Sequence, residues 1–205
     1  MIDNCTLNSA CSALRFGGTN ALIKNCHIYG PGKYLFRGSL TMEEKVSGGK
    51  PSSEGYRNNM ISAFTYYADY SLPINEEPGN IIITDCIIEN TDRFLHYNYS
   101  GNEIWQKNRP LRNICFRNIR AIGIRMPLTV YGDAKNPVTI ELSNIDASFG
   151  DGTKYTVFMH ACNYERITFD TVAISNNNRM PLIKTWSDGK IEIKDLICDT
   201  LRGEN

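Results

Sequence analysis

Charge of one sign is what this sequence most plainly lacks. Lys plus Arg number 22 and Asp plus Glu 22, a net charge of zero, so no overall field draws the chain to nucleic acid or to an anionic membrane surface. Long hydrophobic runs are missing too. No apolar stretch approaches the roughly 18 residues that span a bilayer, and Met1 is followed by Asp3, Asn4 and Cys5 rather than by a basic segment and an apolar one. Neither nucleic acid nor membrane is expected as a partner, and as written the chain has no export signal, which taken alone reads as cytoplasmic and leaves localisation open. Histidine is scarce, and His27, His96 and His160 lack metal-ligand spacing, while acidic clusters dense enough for Ca²⁺ are absent. No metal and no cofactor are expected. The seven cysteines are odd in number and form no CxxC pair, so they read as reduced thiols; Cys5, Cys26, Cys86 and Cys115 lie in or beside apolar runs as small buried hydrophobes. Helical spacing is not sustained anywhere. Tight-hairpin dipeptides reduce to Asp151-Gly152 and Asp188-Gly189, which disfavours an antiparallel sandwich.

What is there is a repeat. A short strand ending in Asn or Asp recurs seven times, as in Leu22-Ile23-Lys24-Asn25-Cys26, Ile81-Ile82-Ile83-Thr84-Asp85-Cys86 and Ile140-Glu141-Leu142-Ser143-Asn144-Ile145. The anchors fall at 4, 25, 85, 118, 144, 170 and 195, with spacings of 21, 60, 33, 26, 26 and 25. Apolar and polar residues alternate within the copies, Ile140 and Leu142 against Glu141 and Ser143, Ile191 and Ile193 against Glu192 and Lys194, the period of a half-buried strand. A unit this short cannot bury its apolar side alone, so units must stack and their strands pair in parallel. Asn at one fixed place suits a bend, because it tolerates left-handed backbone, and stacked Asn residues would form a ladder. About ten residues after each anchor comes a second apolar strand, at 13–16, 94–97, 127–131, 157–160 and 181–186. The expected fold is therefore all-β, a right-handed single-stranded parallel β-helix, or solenoid, of about six to eight coils. It forms a single domain over 1–205 with one long insertion at about 31–79. Within that insertion, Met60 to Tyr66 reads as a further coil strand.

The runs Asn4-Cys5-Thr6-Leu7, Ser12-Ala13-Leu14-Arg15-Phe16-Gly17, Leu22 to Ile28, and Asn113 to Ile119 leading to Pro127-Leu128 resemble the pectin-lyase-like right-handed parallel β-helix superfamily. The nearest branch is glycoside hydrolase family 28, the polygalacturonase-like enzymes, of which the chain resembles the C-terminal coils. The resemblance implies a glycoside hydrolase, or a fragment of one, acting on polysaccharide; the alternative is a non-catalytic glycan-binding or tailspike-like module. Family 28 catalysis rests on clustered Asp residues, typically in an Asn-Thr-Asp and a Gly-Asp-Asp motif, followed by Gly-His-Gly and Arg-x-Lys, and the expectation is that none of these motifs is present in this chain. The carboxylate-bearing coils are accordingly expected upstream of Met1, the chain being N-terminally truncated, and a homo-oligomer would cover the open N-terminal coil.

Outward positions of the second strands would form one surface for a polysaccharide or oligosaccharide. The candidates are Arg15, Tyr66, His96 or Tyr97, Tyr131, His160, Lys184 and Trp186, joined by a second cluster holding Arg93 and, from a polar loop, Trp105 and Arg109. Aromatic faces stack on sugars and basic groups pair with uronate carboxylates. The alternation phase decides which of these side chains face out, and a slip of one residue inverts it. Asp69, Asp133 and Asp188 are the candidate catalytic carboxylates, with Glu54 and Glu103 behind them.

Overall fold

The computed structural model describes residues 1–30, 60–66, 79–99, 109–150, 157–175 and 182–198. Among these residues there are sixteen strands and no helix. Ten strands form one sheet, ordered β1 (Ile2–Asp3), β4 (Asn20–Lys24), β7 (Gly79–Glu89), β9 (Leu111–Ile124), β11 (Val138–Phe149), β13 (Tyr164–Ser175) and β15 (Lys190–Ile193). The short strands β2 (Thr6–Asn8), β5 (His27–Tyr29) and β16 (Leu196–Cys198) extend it. Six strands form the other, ordered β14 (Ile183–Thr185), β12 (Met159–Cys162), β10 (Leu128–Tyr131), β8 (Thr91–Asn98), β6 (Met60–Tyr66) and β3 (Ser12–Phe16). Every pairing in both sheets is parallel.

The seven copies of the repeat become the seven strands β1, β4, β7, β9, β11, β13 and β15, in sequence order. Register follows the apolar pattern: Ile81 pairs with Ile114, Ile114 with Ile140, Ile140 with Ile167, and Ile167 with Ile191. Pairing one residue out of step would turn each of these side chains to the other face. Ile81, Ile83, Ile140 and Leu142 are buried, whereas Ile82 between the first two is 39 % exposed. In β15, the last strand in the order, the same phase leaves Ile191 and Ile193 42 % and 56 % exposed.

After the first half of each long strand the chain bends through one left-handed residue. These are Asn4, Asn25, Asp85, Asn118, Asn144 and Thr171, with φ between 51° and 58°. The sixth anchor is thus Thr171 and not Asp170: Ser143 pairs with Asp170 and Ile145 with Val172, which leaves Thr171 opposite Asn144. A β-branched residue is costly there, so the composition of the copy points one position early. The bend residues form the expected ladder, Asn144 Nδ2 donating to Asn118 Oδ1 at 2.8 Å and Asn118 Nδ2 to Asp85 Oδ1 at 2.8 Å. A second ladder at the strand starts was not foreseen: Asn113 donates to Asn80 at 2.7 Å and Asn80 to Asn20 at 2.9 Å.

In the second sheet, β6 lies between β3 and β8, pairing Phe64 with Leu14 and with Leu95. The pattern therefore resumes inside the proposed insertion, as Met60 to Tyr66 predicts; 31–59 and 67–78 lie outside the described residues. The chain returns to β6 beside Gly30, where a Cβ would stand 2.5 Å from Met60 Cβ and 2.8 Å from Ser9 O. Between the sheets sits one core. Phe94 of β8 meets Phe116 of β9 edge to face with centroids 5.2 Å apart, and Tyr66 and Tyr97 meet the same way at 5.4 Å. Cys26 and Cys86 are core residues and Cys5 is half-buried. Cys115 is buried as expected, at 6 % exposure, although it pairs with Ile82 and Glu141 on the outer phase of the sheet.

Candidate functional site: the outer face of the second sheet

The register of the second sheet lines up one outward column. Arg15 pairs with Thr65, Thr65 with His96, His96 with Thr129, Thr129 with His160, and His160 with Lys184. Strands repeat at about 4.8 Å, so the six positions span about 24 Å. Two residues further on, Tyr131 pairs with Cys162, and Trp186 follows, its N–H donating to Ala161 O.

At one end of this face four side chains converge. Trp186 is 52 % exposed; the edges of Tyr131 and His160 meet it with centroids 5.7 Å and 5.2 Å away, and Lys184 Nζ stands 5.3 Å from its ring centre. A half-exposed indole with a cation over it is an apolar platform bordered by positive charge.

At the middle of the face the buried polar residues gather. Among the described residues nine polar or charged residues are buried; Thr139 and Thr168 lie on the first sheet, and the other seven, Ser62, Thr65, Thr91, Asp92, Arg93, Asn98 and Thr129, belong to β6, β8 or β10. Arg93 is 3 % exposed. Its guanidinium donates to His96 Nδ1 at 2.9 Å and Thr129 Oγ1 at 3.2 Å, and lies 3.6 Å from Met126 Sδ. A guanidinium can only donate, so His96 Nδ1 is an acceptor. Buried charge is costly unless it is held by such bonds, and its concentration on one sheet marks the site.

The expected residues divide as follows. Arg15, Arg93, His96, Tyr131, Lys184 and Trp186 belong to the strands of this sheet or directly follow them. Tyr66 does not face out: it is fully buried, packed edge-on against Phe16 and Tyr97, and burial pushes its hydroxyl well above the usual tyrosine range. The bulky ring takes the inward phase, and Thr65 holds the outward one. Arg109 sits elsewhere, two residues before β9, donating to Thr19 Oγ1 at 2.9 Å. Trp105, Asp69, Glu54 and Glu103 lie outside the described residues. Asp133 follows β10 and accepts from Asn136 Nδ2 at 2.7 Å, and Asp188 is exposed in the turn after Trp186. The expectation that no family 28 motif is present is wrong at one place: Asn90-Thr91-Asp92 is an Asn-Thr-Asp, and Asp92 is missing from the candidate carboxylates. Its signal was in plain view. Asn90 is left-handed at φ 53°, Thr91 Oγ1 donates to Arg93 O at 2.8 Å, and Asp92 is 4 % exposed.

The outer face of the first sheet carries an open groove of about 460 Å³, lined by Arg117, Glu141, Arg166, Asp170, Glu192 and Lys194 among others. Its charges pair with one another: Arg117 with Glu141 at 3.7 Å and Lys194 with Asp170 at 3.0 Å. The bonds from Lys194 and Lys190 hold the Asp170 and Glu192 carboxyls below the ordinary range. Carboxylates held ionised in this way are poor proton donors. Among the described residues no group of three or more His, Cys, Asp and Glu is arranged to hold a metal ion. No family model, curated protein or solved structure matches the chain.

Proposed function

We propose that the chain is a right-handed parallel β-helix of the pectin-lyase-like kind, and that it is carbohydrate-active, binding an acidic polysaccharide along the outer face of the second sheet. Parallel strands joined by crossovers favour the right hand, and the repeated strand–bend–strand–strand unit suits a coil. The observation that carries the functional reading is the half-exposed Trp186 with Lys184 over its ring, in line with the basic and histidine positions of the neighbouring strands. The six strands hold Arg15, Arg93, Lys184 and two histidines against a single acidic residue, the buried Asp92. An indole takes the apolar face of a sugar, and cations take its carboxylate.

Glycoside hydrolysis is the second reading, favoured by one observation, the buried Asp92 in its Asn-Thr-Asp. It needs two carboxylates across the scissile bond, about 5 to 9.5 Å apart. Polygalacturonate binding by calorimetry tests the first reading. Trp186→Ala is expected to weaken affinity roughly tenfold, and added salt to weaken it further; wild-type protein that binds polygalacturonate no better than dextran would overturn it. Reducing-sugar release that disappears in Asp92→Asn would establish the second.

A further inference from the structure

Three thiols on adjacent strands stand in one inward line. Asp3 pairs with Lys24 and Thr6 with His27, which sets Cys5 beside Cys26. Lys24 pairs with Thr84 and His27 with Ile87, which sets Cys26 beside Cys86. Cys86 then pairs with Ile119, so the column of sulfur ends there. Each thiol makes the same bond, donating to the carbonyl two residues before it: Cys5 to Asp3 at 3.3 Å, Cys26 to Lys24 at 3.1 Å, Cys86 to Thr84 at 3.1 Å. Identical bonds mean similar side-chain placements, so the sulfurs repeat at the strand spacing of about 4.8 Å.

That spacing discriminates between two fates. A disulfide wants its Cβ atoms about 3.8 Å apart, about 1 Å closer than in-register parallel neighbours stand, so the two strands would have to draw together locally. A two-coordinate soft metal ion fits without movement, because two metal–thiolate bonds of about 2.3 Å laid end to end span about 4.6 Å. We propose that the column is a binding site for a soft d¹⁰ metal ion held linearly between two thiolates, Cys26 and one neighbour. A doubly charged ion such as Hg(II) suits it best. The ion forms two metal–sulfur bonds, two S–H bonds break, both protons go to solvent, and the resulting bis-thiolate carries no net charge in an apolar interior. Ions that require four or more donors find no others in the column, where Ile119 follows. This site is independent of the polysaccharide reading and lies on the opposite, inner side of the first sheet's strands.

The test uses the full chain and Hg(II) alone, added at one equivalent with an excess of a simple monothiol that strips the ion from isolated cysteines. One ion retained per chain is expected, with two sulfur neighbours at about 2.3 Å in X-ray absorption. Cys26→Ser, whose hydroxyl can keep the bond to Lys24 O, should lose retention roughly 100-fold by removing the second tethered ligand, while Cys115→Ser should not change it. Equal retention by Cys26→Ser, a count of three or more sulfurs, or loss of two mass units without metal would overturn the proposal. Should Cys26→Ser fail to fold by circular dichroism, the sulfur count in the wild-type protein decides alone.

Discussion

At the scale of single residues, the six left-handed bends are where the chain is most sensitive. Thr171 is the one β-branched residue among them, and left-handed backbone costs an ordinary residue roughly 1–2 kcal/mol. Thr171→Asn should therefore raise stability by about 1 kcal/mol in urea titration, and its amide would extend the ladder to Asn144. Asn118→Ala should cost about 1–2 kcal/mol, because it keeps the strain and removes both ladder bonds; Asn118→Gly should cost less, since glycine accepts the bend. The ladder also has an acid limb. Bonds from Asn118 and then Thr84 hold the Asp85 carboxyl below its ordinary value. A depressed folded-state pKa stabilises above the unfolded value of about 3.9 and is lost as pH falls through the folded one. The urea midpoint should thus drop as pH falls from about 5 to about 3, and Asp85→Asn should flatten that drop. The identity of the bends was legible because Asn announces them; Thr171 was not, because an Asp next door imitates the signal.

At the scale of elements, β6 shows how strongly tertiary pairing governs a strand. Its neighbours in sequence give little sign of the repeat, yet Ala63, Phe64 and Tyr66 are fully buried between β3 and β8. Phe64→Ala should cost about 3–5 kcal/mol. Gly30→Ala should also destabilise, since the added methyl meets Met60 and the Ser9 carbonyl, and the loss should be read as a lower thermal midpoint. The strands of both sheets were legible from period-2 alternation, and most of the candidate surface followed from them. Tyr66 was assigned to the wrong face. Where several apolar residues run together, as in Ala63-Phe64-Thr65-Tyr66, alternation does not say which one turns inward. Asp92 was missed although Asn90-Thr91-Asp92 stands in the sequence, and what sequence does not show is that Asp92 and Arg93 are both buried.

At the scale of the whole molecule, stability should be greatest in the middle of the stack. Strands β9, β11 and β13 are 14, 12 and 12 residues long and are hydrogen-bonded on both sides, while β1, β14 and β15 are short and stand at the ends of their orders. Hydrogen exchange should accordingly be slowest in β9–β13 and fastest at the two ends, a graded pattern rather than one cooperative value. Refolding should be slow for the chain's length, because every strand waits for a partner at least a full repeat away. The outward column from Arg15 to Lys184 has a further consequence. Its positions differ in chemistry but not in pitch, so for the proposed polysaccharide the sheet would work as a vernier. A polymer lying along it stays in phase only if its own repeat is commensurate with the strand spacing, and one with a different repeat gains contacts for a few units and then loses them. Length, as much as chemistry, would then separate one chain molecule from another.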